Sequence, residues 1–498
     1  MMFGSELTSE LQKAKEEIKA YAKAYGLDFF ETIFEVIDYK QVNEIAALGG
    51  FPTRYPHWRF GMEYDRLSKS YQFGLHKIYE MVINNDPCYA YLMRSNSIVD
   101  QKLVMAHVYA HCDFFKCNMY FQKTNRKMID EMANHATRIR NYMDKYGIEP
   151  VEDFIDVCLS IENLIDYQAE KPDNIYRAED KQEEDDLPPP LRVPKLKSKG
   201  YMDKYINPDD FLKQQKQKLE KQREKNKKFP PNPEKDVLLF LQEYAPLHTW
   251  QRDVLSIIRE ESYYFSPQGQ TKIMNEGWAS YWHSTIMTQK ALKDSEIVDF
   301  ADHHSGTVAM RPGSLNPYKL GLELFRDIED RWNKGKHGKE WDECNDYRKK
   351  EEWDKKHNLG RQKIFEVRRL CNDVTFIDDY LTMEFAERFK LFTFEANDRS
   401  GQWEIASREF KDIKNKLLFS LTNFGQPFMS VEDANFKNRT ELLLNHRHEG
   451  FDLKVSEAIK VMENVYKIWK KTVNVRTVVQ GENTILTYDG KEHTQEKY

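Results

Sequence analysis

Apolar residues recur at helical spacing along most of the chain and at strand spacing in only a few places. Between residues 5 and 47, Leu7, Leu11, Ile18 and Tyr21 form one stripe, and the pattern ends near Gly49-Gly50, which predicts helix throughout. A further pattern follows Pro56-His57-Trp58. The stretch Lys77-Ile78-Tyr79-Glu80-Met81-Val82-Ile83 is rich in strand formers; it is followed by Asn84-Asn85-Asp86-Pro87 and then Cys88-Tyr89-Ala90-Tyr91-Leu92-Met93. That order predicts a β-hairpin immediately before the next helix. Helical patterns resume at Asp236, run through Leu247-His248-Thr249-Trp250-Gln251 to Arg259, and continue into a segment around Glu276. From about Arg361 the pattern is mixed and ends in an amphipathic stretch, Leu453 to Lys470, and a strand-like run, Val473 to Val479.

Composition interrupts this pattern once. Nine of the chain's 18 prolines lie between Pro172 and Pro233, with an acidic run from Glu179 to Asp186, then Pro188-Pro189-Pro190, then a Lys/Gln-rich run from Lys213 to Lys228. Such a stretch cannot supply a core and reads as a partly disordered insertion, with a solvated linker weighed against a partner-binding tract. The expected organisation is therefore an N-terminal helical body at 1–170, the insertion at 171–236, the second half of the body at 237–360 and a C-terminal α+β domain at 361–498. The fold class expected is α+β and mainly α-helical, with a small antiparallel sheet.

The overall charge narrows the partners. Charged residues make up 31% of the 498, aromatics 13%, and the formal net charge is -6, so no general basic field exists for a nucleic acid. No run approaches the roughly 18 apolar residues of a transmembrane helix, and the first residues lack an apolar signal core, so a cytoplasmic protein is expected. The six cysteines are scattered without a Cys-x-x-Cys unit, which suggests reduced thiols. Cys112 and Cys117 should lie off the face of the neighbouring histidines and serve packing.

Two segments carry candidate chemistry. In Met105-Ala106-His107-Val108-Tyr109-Ala110-His111 the two histidines are four residues apart, so on a helix they can offer imidazoles to one ion. In Asn275-Glu276-Gly277-Trp278-Ala279-Ser280-Tyr281-Trp282-His283, Glu276 and His283 are two turns apart, with small residues between them that would let a second helix approach. Zincin metalloproteases share this layout of a His-x-x-x-His helix and a later acidic ligand, which makes a zincin-like body the expectation. The glutamate that usually follows the first histidine is Val108 here. Metal binding is accordingly better supported than peptide hydrolysis, and a hydrogen-bonded structural histidine pair is the plainer alternative.

Several longer runs resemble the stage V sporulation protein R (SpoVR) family. They are Tyr55-Pro-His-Trp-Arg-Phe-Gly-Met-Glu-Tyr64, Ile78 to Asn84 with Asp86-Pro87, the His107/His111 helix through Lys116, and Asn275 to His283. Asp302-His-His-Ser-Gly306, Asn316-Pro-Tyr-Lys-Leu-Gly321, Asn372 to Tyr380 and Leu443 to Gly450 are similar as well. The resemblance implies a cytoplasmic protein of the mother cell, needed for normal spore cortex, with cortex-assembly or peptidoglycan-related proteins or precursors as partners. It implies no particular reaction.

From the residues themselves, His107, His111 and Glu276 are expected to bind Zn2+, leaving a position for water, with His283, His303 and His304 as further ligands or oxyanion stabilisers. Without a glutamate at 108, the base expected is Glu80, between Ile78 and Val82 on one strand face, or Asp113, which could equally orient a histidine. For Asp302-His303-His304 the plainer alternative is a polar helix end. His446 and His448 are expected to be structural or surface residues. A scaffold that binds without catalysis in cortex assembly is the competing expectation, and Val108 favours it.

Overall fold

The structure, a computed structural model, describes residues 4–72, 81–169, 208, 228–309, 315–396 and 403–498. Glu80, most of the insertion at 171–236 and the first half of the expected hairpin strand lie outside these residues. The protein is mainly helical with small sheets, as the pattern predicts. It divides into two compact units, the first made of residues 1–152 and 264–426, the second of 153–263 and 427–498.

In the first unit the chain runs through α1 (Ser9–Ala24), β1 (Thr32–Ile37), α2 (Tyr39–Ala47), α3 (Trp58–Gln72), β2 (Met81–Ile83), β3 (Cys88–Met93), α4 (Ile98–Cys117) and α5 (Met128–Tyr146). After the end of α6 (Thr249–Gln270) come α7 (Lys272–Ile286), α8 (Ile297–Thr307), α9 (Pro317–Lys334), α10 (Gly360–Leu370) and α11 (Asp373–Tyr380). A two-stranded ribbon of β4 (Thr393–Ala396) and β5 (Trp403–Ser407) follows.

Two expectations need correction here. The helical stretch expected at 5–47 is broken by β1, whose Thr-Ile-Phe-Glu-Val-Ile run is almost wholly buried. A strand covered on both faces reads as a continuous apolar run, and periodicity alone does not separate it from a buried helix. The sheet is also mixed. β2 pairs antiparallel with β3 as the hairpin predicts, but β1 lies parallel on the other side of β3, with Thr32 opposite Cys88. Residues on both sides of position 361 lie in the first unit: Asn118, at the end of α4, donates from its side-chain amide to the carbonyls of Arg368 and Cys371, fastening α10 to it.

Helix α4 is buried along nearly its whole length. Ser97 and Asp100 form a capping box that fixes its start, since each satisfies a backbone or side-chain group of the other. Val104, Met105, Val108, Tyr109 and Phe114 then pack on every side, together with Phe34 of β1, Ile18 of α1 and Trp278 and Trp282 of α7. Each such fully buried side chain contributes about 1.5–3 kcal/mol, so the helix that carries the histidines is held by the core itself. Helix α7 starts without a side-chain cap of its own. Asp373 of α11 supplies one, its two carboxylate oxygens accepting from the amides of Ile273 and Met274 at 2.8 and 2.9 Å.

The second unit contains a five-stranded sheet in the order β10-β9-β8-β7-β6, with β6 (Phe428–Phe436), β7 (Glu441–Arg447), β8 (Val473–Val479), β9 (Glu482–Tyr488) and β10 (His493–Lys497). Helix α12 (Val455–Trp469) connects the parallel pair β7 and β8, as a crossover must. The expected amphipathic helix and following strand are both present. His446 is buried on β7 with Nδ1 2.8 Å from the Thr477 hydroxyl, and His448 bonds Asp452, so both are structural.

Candidate metal centre

Helices α4 and α7 lie side by side and bring the two sequence segments together. His107 and His111 point their Nε2 atoms at one oxygen, Glu276 Oε2, at 3.5 and 3.6 Å. One donor atom from each of the three residues falls within 4.8 Å of the others. Glu276 Oε2 is buried and accepts no hydrogen bond.

The far sides of both imidazoles are occupied. His111 Nδ1 lies 2.8 Å from Asn275 Oδ1; a carbonyl oxygen can only accept, so the proton sits on Nδ1 and the Nε2 lone pair is left for the centre. Asn275, beside Glu276 on α7, was not marked by spacing or charge. His107 Nδ1 is 2.8 Å from His283 Nδ1, and His283 Nε2 is 3.0 Å from His304 Nδ1. With protons on His107 Nδ1, His283 Nε2 and His304 Nε2, every bond in this row has one donor and one acceptor. Burial, then the imidazoles of His107, His304 and His111 and the charge of Arg326, push the His283 pKa well below the ordinary value, which keeps it neutral. Burial and then Arg326 lower His304 as well.

His283 therefore stands behind His107 as its orienting partner and not among the Nε2 donors, contrary to its expected place as a ligand. The seven-residue interval that put Glu276 and His283 on one stripe is right, but the stripe is two turns long and only one end reaches the histidine pair. His304 supports His283 in turn, stacked on Phe300. His303 is directed elsewhere: its Nδ1 contacts the Asp100 carboxylate at the start of α4. The Asp302-His303-His304 segment occupies the last turns of α8.

Asp113 is not brought to the centre. Two residues beyond His111, it lies on another face of α4, where Oδ1 accepts from the Asp28 amide and Oδ2 from Trp278 Nε1, both at 2.8 Å, with Arg368 Nε 3.6 Å away. Burial pushes its pKa up to about 6, against the pull of Arg368 and these donors. The base and His-orienting roles expected of Asp113 have no geometry here; it ties α4 to α7 and α10. Asp113→Ala would leave an indole N–H and a guanidinium buried without their acceptor, and is expected to lower stability by about 3 kcal/mol in denaturant unfolding. Cys112 is wholly buried and accepts from the Thr32 hydroxyl, in keeping with packing.

A cavity of about 590 Å3 opens on the centre, lined by His111, Asn275 and Glu276 together with Lys272, Gln268 and Tyr318. Its apolar side includes Phe115, Phe265, Met81 and Val82, and backbone at Gly49, Gly50 and Gly269 completes the wall. Glu276 is the only carboxylate among the described residues that line it.

No solved structure matches this chain. A curated relative, "Uncharacterized protein YcgB" of Escherichia coli (strain K12), is 29% identical over 489 residues, covering 91% of this chain and 89% of the relative. The family model described as SpoVR like protein matches residues 5–426, which include α4, α7 and all of the residues around the centre, and the chain belongs to the SpoVR family.

Proposed function

We propose that His107, His111 and Glu276 hold a single divalent ion, zinc by donor type, and that the protein is a hydrolase-like member of its family acting on an amide bond in spore-cortex assembly. Family membership supports a sporulation-related protein. The observation that carries the metal is the position of Glu276 Oε2, 3.5 and 3.6 Å from two imidazole Nε2 atoms and without a hydrogen bond. These separations exceed the roughly 2.7–3.2 Å of an N–H···O bond. Two donors each about 2.1 Å from a tetrahedral ion would lie about 3.4 Å apart. A set of two imidazoles and one carboxylate also matches the three protein ligands of hydrolytic zinc sites.

When bound, the ion would supply Lewis acidity and a water acidified to a pKa of about 7. The chain's own groups do the rest. Asn275 fixes the His111 tautomer through Oδ1 and keeps its Nδ2 donor at the cavity for a substrate carbonyl. His283 holds the His107 ring and its tautomer. The apolar wall of Phe115, Phe265, Met81 and Val82 limits water around the reacting group. Glu80 remains the proposed base.

A second reading, a metal-stabilised zincin-like scaffold without catalysis, is favoured by Val108, which is fully buried where the usual base would stand. The two differ in whether a ligand position is open. Metal-stripped protein titrated with zinc should take up one equivalent and only then bind acetohydroxamate, with a Kd of about 1 mM or tighter. Zinc uptake without hydroxamate binding would favour the scaffold, and no uptake would end the metal reading.

A further inference from the structure

Resting on the metal centre proposed above, we infer that the cavity selects acyl substrates carrying a carboxylate two to four bonds from the carbonyl that meets the centre, with Lys272 as the residue that recognises it.

The placement follows from the helix. Lys272 opens α7 and Glu276 stands one turn later, so their Cβ atoms are about 5–6 Å apart on one face and both side chains line the same cavity. Lys272 is exposed and has no ion pair among the described residues, so its ammonium is available at the cavity. Of the two carboxylates near it, Glu276 is turned to His107 and His111, and Asp373 has both oxygens engaged by the amides of Ile273 and Met274. Those bonds also occupy the helix terminus, so the ammonium is the anion-binding element that α7 presents to the cavity.

The remaining lining sets the class of anion. Lys272 is the only cation among the described lining residues, and much of the rest of the lining is apolar side chains and glycine backbone. The amides of Gly49 and Gly50 are already bonded to the carbonyls of Ala46 and Ile45. A single cation matches a monoanion such as a carboxylate; a phosphate dianion calls for more positive charge than the described lining carries. The spacing then decides the length: a carbonyl at the Glu276 end and a carboxylate at the Lys272 end are separated by about two methylenes, as in a succinyl group or an acidic residue at the end of a short peptide.

Two hydroxamates of equal length test this on the full-length zinc-loaded protein: succinic acid monohydroxamate, which ends in a carboxylate, and butyrohydroxamate, which ends in a methyl. Calorimetry should show the first binding about fivefold or more tightly to the wild type, the size of a solvated ion pair. Lys272→Met should bring the two within about twofold while zinc stoichiometry and butyrohydroxamate affinity stay unchanged, and Lys272→Arg should keep most of the preference. Equal binding of the two by the wild type, or a preference that survives in Lys272→Met, would overturn the carboxylate assignment and leave the metal centre standing. Failure of the zinc-loaded wild type to bind either compound would mean that no ligand position is open, which would favour the scaffold reading and overturn this inference with it.

Discussion

His107→Ala, His111→Ala and Glu276→Ala will each lower zinc affinity by about a thousandfold or more, while His283→Ala will lower it only about ten- to a hundredfold. The gradation follows from position. The first three residues supply the atoms that converge within 4.8 Å, and removing one leaves two donors, too few to hold the ion against buffer. His283 holds His107 through Nδ1, so its loss frees the His107 ring to turn and to adopt the other tautomer without taking away a donor. Asn275→Ala should fall in the same weaker class, because Asn275 acts on His111 as His283 acts on His107. Competition with a chromophoric chelator gives the affinities, and circular dichroism confirms that each variant is folded. Equal losses for His107→Ala and His283→Ala would place His283 among the ligands. A folded His107→Ala variant with unchanged zinc affinity would leave the cluster as a hydrogen-bonded histidine pair.

The contrast between these residues tracks what a sequence can encode. His107, His111 and Glu276 were legible because a helix has a fixed period, and a four-residue interval on one helix plus an acidic residue on another defines a face. The face of Asp113 was equally fixed by that period, but its buried partners, the Asp28 amide, Trp278 and Arg368, come from separate elements and carry no local mark. Asn275 was invisible for a similar reason: its role exists only because α4 lies against α7. In the fold, the hairpin and the helix after it were readable from alternation and turn residues. The parallel partner β1 was not, since a strand buried on both faces loses the alternation that distinguishes it. The change of local pattern near 361 marks a change of element type, whereas a compact unit is set by long-range contacts such as Asn118 with α10.

Gly321→Ala will destabilise the protein by about 3 kcal/mol or more and will also weaken zinc binding, although residue 321 lines neither the cavity nor the cluster. The small residues Ala279 and Ser280 lead one to expect a helix packed closely on α7; at Gly277, α7 lies against Gly321 of α9. A Cβ on Gly321 would lie 2.1 Å from the Ile273 carbonyl oxygen and 2.7 Å from Gly277 Cα, and one on Gly277 would lie 2.4 Å from Gly321 Cα. These are backbone atoms, so no rotamer change relieves the clash and the two helices must separate by about 1 Å to restore van der Waals contact. Glu276 is the residue next to Gly277 on the helix that has to move. A metal ligand tolerates displacement of only about 0.5 Å before geometry degrades, so the shift should cost about tenfold in zinc affinity even in the folded fraction. Gly61→Ala is the control, an exposed helical glycine whose added Cβ meets nothing within 4 Å. It should stabilise the protein by about 0.5–1 kcal/mol and leave zinc binding alone. If Gly321→Ala lowered the unfolding midpoint while zinc affinity stayed at the wild-type value, the α7–α9 contact would be a matter of stability only, and the position of Glu276 would have to be set by its packing against α4.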